Sequence, residues 1–132
     1  MTYNKLVIFD LDGVLIDSRD LHYHALNRAL EEIDPKYVIS REEHLSTYDG
    51  LPTTKKLHML TEKKGLPVDT YDKVWTKKQV ATTQLISCMP EDSKLIEIFR
   101  KLNERGFRIA VASNSIRNTV KLTLMRLGIL EY

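Results

Sequence analysis

The stretch that most constrains this chain is Leu6 to Ser18, LVIFDLDGVLIDS. Four apolar residues, Leu6 to Phe9, run directly into Asp10, and Asp12, Gly13 and a second apolar run follow. An unbroken apolar run of this length predicts a strand buried on both faces, as in a parallel sheet. Two carboxylates at the end of such a strand are costly unless a cation or another partner neutralises them. In open parallel sheets the ligand crevice lies beyond the strands' carboxyl ends, which is where Asp10 and Asp12 fall. Side chains two apart on an extended chain share a face, so the Asp-x-Asp spacing can aim both carboxylates at one point. Gly13 then permits a tight turn or a close backbone approach to a ligand.

A second strand-like run, Phe107 to Ala112 (FRIAVA), leads into Ser113-Asn114-Ser115. If the two runs are parallel neighbours, Ser113 arrives at the same sheet edge as Asp10. A hydroxyl and adjacent backbone N–H groups at a helix start there can hold a phosphate oxygen.

Between the two runs the sequence is helical. Leu21, Ala25, Leu26, Ala29, Leu30 and Ile33 recur at three- and four-residue steps, with Ser18 as N-cap and Asp34-Pro35 as the stop. Ser40 with Glu43 predicts a capping box for a short helix to about Tyr48. A third helix is expected over Thr53 to Lys64, with Gly65 as its C-cap. A fourth runs from Asp69 or Thr70 to about Ser87, with Tyr71, Val74, Trp75, Val80, Ala81 and Leu85 as inner candidates. A fifth, from about Asp92 to Glu104, would turn Leu95, Ile98, Phe99 and Leu102 inward. A last helix from about Arg117 carries Val120, Leu124 and Leu127, with Gly128 at its end. The expected organisation is therefore a sheet-bearing part, residues 1–17 and 89–132, interrupted by a helical part, residues 18–88.

Composition narrows the function classes. At 132 residues and 42% hydrophobic, the chain can build a core. A net charge of +2 is too mild to argue for nucleic acid or an anionic membrane. No apolar stretch approaches the roughly 18 residues of a membrane span, and the short N-terminal apolar run is interrupted by acids, unlike a secretory signal. Cys88 is the only cysteine, so no intrachain disulfide forms; the expected role is packing and the expected compartment cytoplasmic. His22 and His24 face apart on their helix and make no metal pair, although His22 lies near the start of the helical part, where it could approach a leaving group.

The run Asp10-Leu11-Asp12-Gly13-Val14-Leu15 with Asp17-Ser18 resembles motif one of the haloacid dehalogenase superfamily of phosphohydrolases and phosphomutases, and Val111 to Ser115 resembles motif two. The layout is similar to that of the β-phosphoglucomutase-like and phosphoglycolate-phosphatase-like branch. The resemblance implies an α/β fold, a Rossmann-like parallel sheet with an inserted helical cap. It implies Asp10 as nucleophile forming a phosphoaspartate and Asp12 as general acid and base. Ser113, with Asn114 and Gly13, would contact the phosphoryl group or substrate. It implies Mg2+ held by the Asp10 carboxylate and the Asp12 carbonyl, and a small phosphorylated metabolite as substrate.

The family's motif three lysine and motif four acidic pair find no place before Tyr132. Lys121 falls one element too early, and Glu131 precedes no acidic partner. The sheet is therefore expected to be incomplete, metal binding weak and turnover poor. Three functions follow as expectations: a magnesium-dependent phosphatase, a sugar phosphomutase, or a non-catalytic remnant that binds phosphate or a protein partner. An incomplete sheet also leaves Leu6 to Phe9 with an open edge, for which either a homodimer or a partly unfolded chain is expected, with folding back of Ile129 to Tyr132 over the gap as the competing outcome.

Overall fold

The computed structural model describes residues 4–132, so the first three residues of the expected sheet-bearing part lie outside it. The chain divides into two compact units: one of residues up to Ser18 together with Leu85–Tyr132, the other Arg19–Gln84.

The first unit is built on strands β1 (Lys5–Asp10) and β2 (Phe107–Ala112). They pair in parallel, with Lys5 opposite Phe107 and Asp10 opposite Ala112. Residues two apart share a face, so Val7, Phe9, Ile109 and Val111 form one side, and all four are half-buried. Helices α5 (Ser93–Glu104) and α6 (Arg117–Leu127) belong to the same unit. Its core gathers Leu11, Leu15, Phe99, Leu127 and Ile129, with Phe9 and Val111 packed against them. The Phe9 and Phe99 rings stack with centroids 5.1 Å apart. Such a pair contributes about 1 kcal/mol beyond its buried area.

The other side of the sheet carries Leu6, Ile8 and Asp10, beside Arg108, Ala110 and Ala112, and every one of them is exposed. Leu6 is 58% exposed and Ile8 62%. This corrects the expectation of a strand buried on both faces. The apolar run does form a parallel strand, but within these two strands only one face is covered.

Asp92 caps α5, accepting from the N–H groups of Lys94 and Leu95, while its own N–H donates to the Leu127 carbonyl. The start of α5 is thereby tied to the end of α6. The Arg126 guanidinium donates to the Met89 carbonyl and fixes the entry to α5 from a second side. After Gly128 the chain turns back: Ile129 is buried and Tyr132 packs on the same core.

The second unit is helical. Helix α1 (Arg19–Ile33) buries Ala25, Leu26, Ala29 and Leu30, the stripe its periodicity predicts. A 3-10 turn at Pro35–Tyr37 follows. The Asn27 side chain then bonds both backbone groups of Ile39, at 2.9 Å each, and holds this turn to α1. Helix α2 (Arg41–Glu43) starts at the expected Ser40–Glu43 capping box but widens into a π-turn over His44–Tyr48. Helix α3 (Thr53–Lys64) ends at Gly65 in the left-handed conformation. A 3-10 turn, Val68–Thr70, leads into α4 (Tyr71–Ser87). Leu26, Leu30, Ile39, Leu57, Leu60, Leu66 and Val74 form this unit's core.

Several inner candidates are corrected. Trp75 is 40% exposed and Val80 53%. The inward stripe of α4 is Val74, Lys78, Ala81 and Thr82, and Trp75 and Val80 lie a third of a turn to either side. Ile98 is exposed as well, because α5 turns inward around Phe99 instead. Cys88 is exposed rather than packed.

His44 is 1% exposed, and its ring is buried beside the Tyr48 hydroxyl, with the Arg19 backbone and the Asp49 carboxylate as its polar neighbours. Burial first, and then the Lys56 charge, hold its pKa below the ordinary 6.5, although Asp49 and the Arg19 backbone act in the opposite direction. The unfolded chain therefore takes up the proton that the folded chain refuses. Stability is present above about pH 6.5 and is lost as pH falls through that value. Urea unfolding at pH 7.5 and 5.5 will show lower stability at the acid value, and His44→Phe will flatten that dependence.

Gly128 has φ +85°, and a Cβ there would meet the Ile96 Cδ1 at 2.8 Å. Gly128→Ala is expected to cost about 1–2 kcal/mol in urea unfolding, from the left-handed backbone and the crowded contact together. Leu130→Ala, at a side chain 44% exposed, will cost much less in the same measurement.

Candidate active site

Asp10 is the last residue of β1 and stands opposite Ala112, the last residue of β2. Paired strands lie about 4.8 Å apart, so Ser113, one residue on, leaves the sheet at the edge where Asp10 ends. The fold thus brings Asp10 and Ser113 together at the carboxyl end of a parallel pair, although about a hundred residues separate them in the chain. The Asp10 carboxylate is exposed, and its Oδ1 accepts the Leu11 N–H at 2.8 Å. One lone-pair direction is thereby used and the second oxygen is left to solvent or a ligand.

The turn that follows is pinned at Leu11. Its side chain is 2% exposed in the core of this unit, and its carbonyl accepts the amides of Leu15 at 3.0 Å and Ile16 at 3.2 Å. The Gly13 N–H donates to the Ile16 carbonyl at 2.7 Å and closes the loop. Gly13 has φ +80°, and an added Cβ would meet nothing within 4 Å. The glycine is therefore required by backbone conformation and not by crowding.

Within this loop the Asp12 carboxylate accepts a hydrogen bond from the Ser18 hydroxyl at 2.5 Å. Ser18 is 5% exposed. A charged acceptor makes this a strong bond, and it fixes where the carboxylate points. Sequence reasoning assigned Ser18 only to the helix start; the six-residue spacing from Asp12 carries no pattern that reveals the contact.

At the end of β2, Ser113 is half-buried and its Oγ accepts the Ser115 N–H at 3.1 Å. Asn114 is exposed. Ser113, Ser115, Arg117 and Lys121 line the polar side of a cleft of about 390 Å³, and Phe99, Val111, Leu124 and Tyr132 are among its apolar walls. Arg117 was not singled out from sequence, although the first helical residue after a Ser-Asn-Ser turn was a place to look. His22 lies on α1 and is half-buried.

Magnesium takes oxygen donors in a near-octahedral arrangement. The donors here are of that kind: the Asp10 carboxylate and the oxygens of Asp12. Among the described residues no group of three or more His, Cys, Asp or Glu side chains gathers. The residues therefore fit part of a magnesium shell, with water supplying the rest. No helix among the described residues is long and apolar enough to cross a membrane.

The structure resembles CbbY of Rhodobacter sphaeroides in complex with xylulose-1,5-bisphosphate, with a TM-score of 0.78 at 16% identity over 92% of this chain and 56% of that one. It resembles a predicted phosphoglycolate phosphatase of Haemophilus somnus with a TM-score of 0.78 at 19% identity, over 99% of this chain and 60% of the other. A haloacid dehalogenase family hydrolase of Deinococcus radiodurans, solved with bound phosphate and sodium, matches with a TM-score of 0.64 at 25% identity, over 98% and 54%. The chain thus spans a little over half the length of these structures. No curated protein matches it. The profile of the haloacid dehalogenase-like hydrolases matches residues 7–132. With that match across nearly the whole sequence, and a parallel sheet that ends in Asp10 and Ser113, this chain belongs to the haloacid dehalogenase-like hydrolase family.

Proposed function

We propose that the chain carries the nucleophile half of a magnesium-dependent phosphoric monoester hydrolase acting on a small phosphorylated metabolite. The observation that carries this is the β1–β2 register, which puts a carboxylate and a hydroxyl side by side at one sheet edge. In this proposal Residues 1–17 and 89–132 are the catalytic core and residues 18–88 the cap.

Phosphate monoesters hydrolyse very slowly unaided, and a carboxylate attacking a phosphate dianion meets charge repulsion. The Asp10 carboxylate forms a bond to phosphorus as the ester oxygen leaves, giving a phosphoaspartate. Asp12, oriented by Ser18, gives a proton to the departing oxygen and later takes one from the water that bonds to phosphorus as the Asp10–phosphorus bond breaks, which frees phosphate and restores the Asp10 carboxylate. The Ser113 hydroxyl donates to an equatorial phosphoryl oxygen, with Asn114 and the Gly13 backbone beside it. Magnesium, held by the Asp10 carboxylate and the Asp12 carbonyl, supplies charge neutralisation when bound.

Slow turnover and weak metal affinity belong to this reading, and a non-catalytic phosphate binder is the second reading. Phosphate release from para-nitrophenyl phosphate separates the two. The expected result is slow, magnesium-dependent release that Asp10→Asn abolishes and Ser113→Ala lowers by about 10²-fold. Release that Asp10→Asn leaves unchanged removes Asp10 as nucleophile. Phosphate binding with no release at any magnesium concentration favours the binder.

We also propose that the exposed apolar side of β1 is covered by a second copy of the chain. Light scattering across a wide concentration range is expected to show a dimer, and Ile8→Lys to leave a monomer. A wild-type monomer throughout removes this proposal.

A further inference from the structure

The core of the sheet-bearing unit is open along one side. Ile109 and Val111 of β2, Val120 and Leu124 of α6, and Tyr132 all pack on that core, yet each is only half-buried. All five line the cleft of about 390 Å³ that reaches Ser113, whose walls also include Phe99 and Ile129, each 2% exposed. Small-molecule pockets run from roughly 300 to 1,000 Å³ and combine a mostly apolar lining with a few convergent polar groups. This cleft has that make-up, and the chemistry proposed above does not use it. Asp10 and Asp12 are not among its walls, so it meets the reacting edge only at Ser113.

Its polar groups are gathered rather than scattered. Ser113 and Ser115 belong to the turn that leaves β2, and Arg117 and Lys121 to the first two turns of α6. Arg117, Val120, Lys121 and Leu124 follow at three- and four-residue steps, so one face of α6 carries two cations and then continues as apolar wall. Like charges four apart repel, and neither cation makes an ion pair or hydrogen bond with any described residue. Both side chains are exposed, so water solvates them and a ligand can reach them. A positive, hydroxyl-bearing end joined to an apolar trough asks for a ligand divided in the same way.

We propose that this cleft binds an amphiphilic anion, a small molecule with one anionic head on an aromatic or short aliphatic body. The head lies between Arg117 and Lys121 and accepts from the Ser115 hydroxyl, and the body lies against Val111, Leu124 and Tyr132. Two exposed cations alone hold an anion weakly and lose it to salt, while burial of the body adds a contribution that salt does not screen. Both halves of the ligand are therefore required. The Ser115 N–H donates to the Ser113 Oγ at 3.1 Å, so a head group held at Ser115 bears on the hydroxyl at the sheet edge. The binding itself does not rest on the phosphatase reading.

The test titrates naphthalene-2-carboxylate into the full chain and follows the methyl resonances of Ile109, Val111 and Leu124. Saturable shifts at all three are expected, in the wild type and in Asp10→Asn alike. Acetate, which has the head alone, and 2-naphthamide, which has the body without the charge, are each expected to bind at least tenfold more weakly. Arg117→Met/Lys121→Met is expected to lose at least tenfold in affinity for the carboxylate and to leave that for the amide unchanged. Both substituted positions are exposed, so its melting temperature is expected to match the wild type. Methyl resonances that do not move overturn the proposal, as does equal affinity for the carboxylate and the amide, or an unchanged affinity in the double variant. Shifts confined to Leu6 and Ile8 overturn it by placing the probe on the other side of the sheet. Probe affinity that falls as protein concentration and dimer fraction rise overturns it too, since a second copy then fills the cleft. Asp10→Asn carries the measurement without turnover, so failure of the phosphatase reading shows as absent phosphate release with binding intact.

Discussion

The parallel register of β1 on β2 is the constraint from which the rest follows. It sets Val7, Phe9, Ile109 and Val111 on one side, where Phe99 stacks on Phe9, and leaves Leu6, Ile8 and Asp10 on the other. A slip of one residue would exchange those sets and put Asp10 among the core side chains. The same register determines that Ser113 leaves the sheet next to Asp10. Packing and site geometry are therefore one property here, and the core holds the carboxylate at the edge as much as any local contact does.

Much of this was legible because the punctuation of the chain is strong. Ser40 and Glu43 form the box their spacing predicts, and Gly65 and Gly128 end α3 and α6 in the left-handed conformation. The harder problem was phase. On α4, apolar Trp75 and Val80 compete with Val74 and Ala81 for the inward stripe, and only tertiary packing decides that Lys78 goes in while Trp75 stays out. On β1 the unbroken apolar run speaks for two covered faces, yet coverage depends on other elements, and the described residues cover one. The exposure of Cys88 has the same origin: a link between helices carries no periodicity to read.

At the site, Asp10, Asp12 and Gly13 were visible because they are contiguous and chemically expensive. Ser18 was visible only as a capping residue, since its bond to Asp12 depends on how the intervening loop closes through the Leu11 carbonyl. His44 was less legible still. It sits in an ordinary polar stretch, and its effect on stability lies in being buried, which sequence does not state for polar residues.

The discontinuity of the sheet-bearing unit has a consequence for how the chain reaches its native state. β1 finds its partner only after about a hundred further residues have been synthesised, an interval of roughly 5–20 seconds at ordinary ribosomal rates. The helical unit is continuous and rich in local contacts, so it is free to form during that wait. Once formed, it replaces a long flexible loop by a short effective one and lowers the entropy cost of bringing β2 to β1. Until then Leu6 to Phe9 is an unpaired apolar strand in the nascent polypeptide, the kind of segment that chaperones engage. The residue that opens the proposed chemistry is thus also the end of a segment that stays unpaired until β2 has been made.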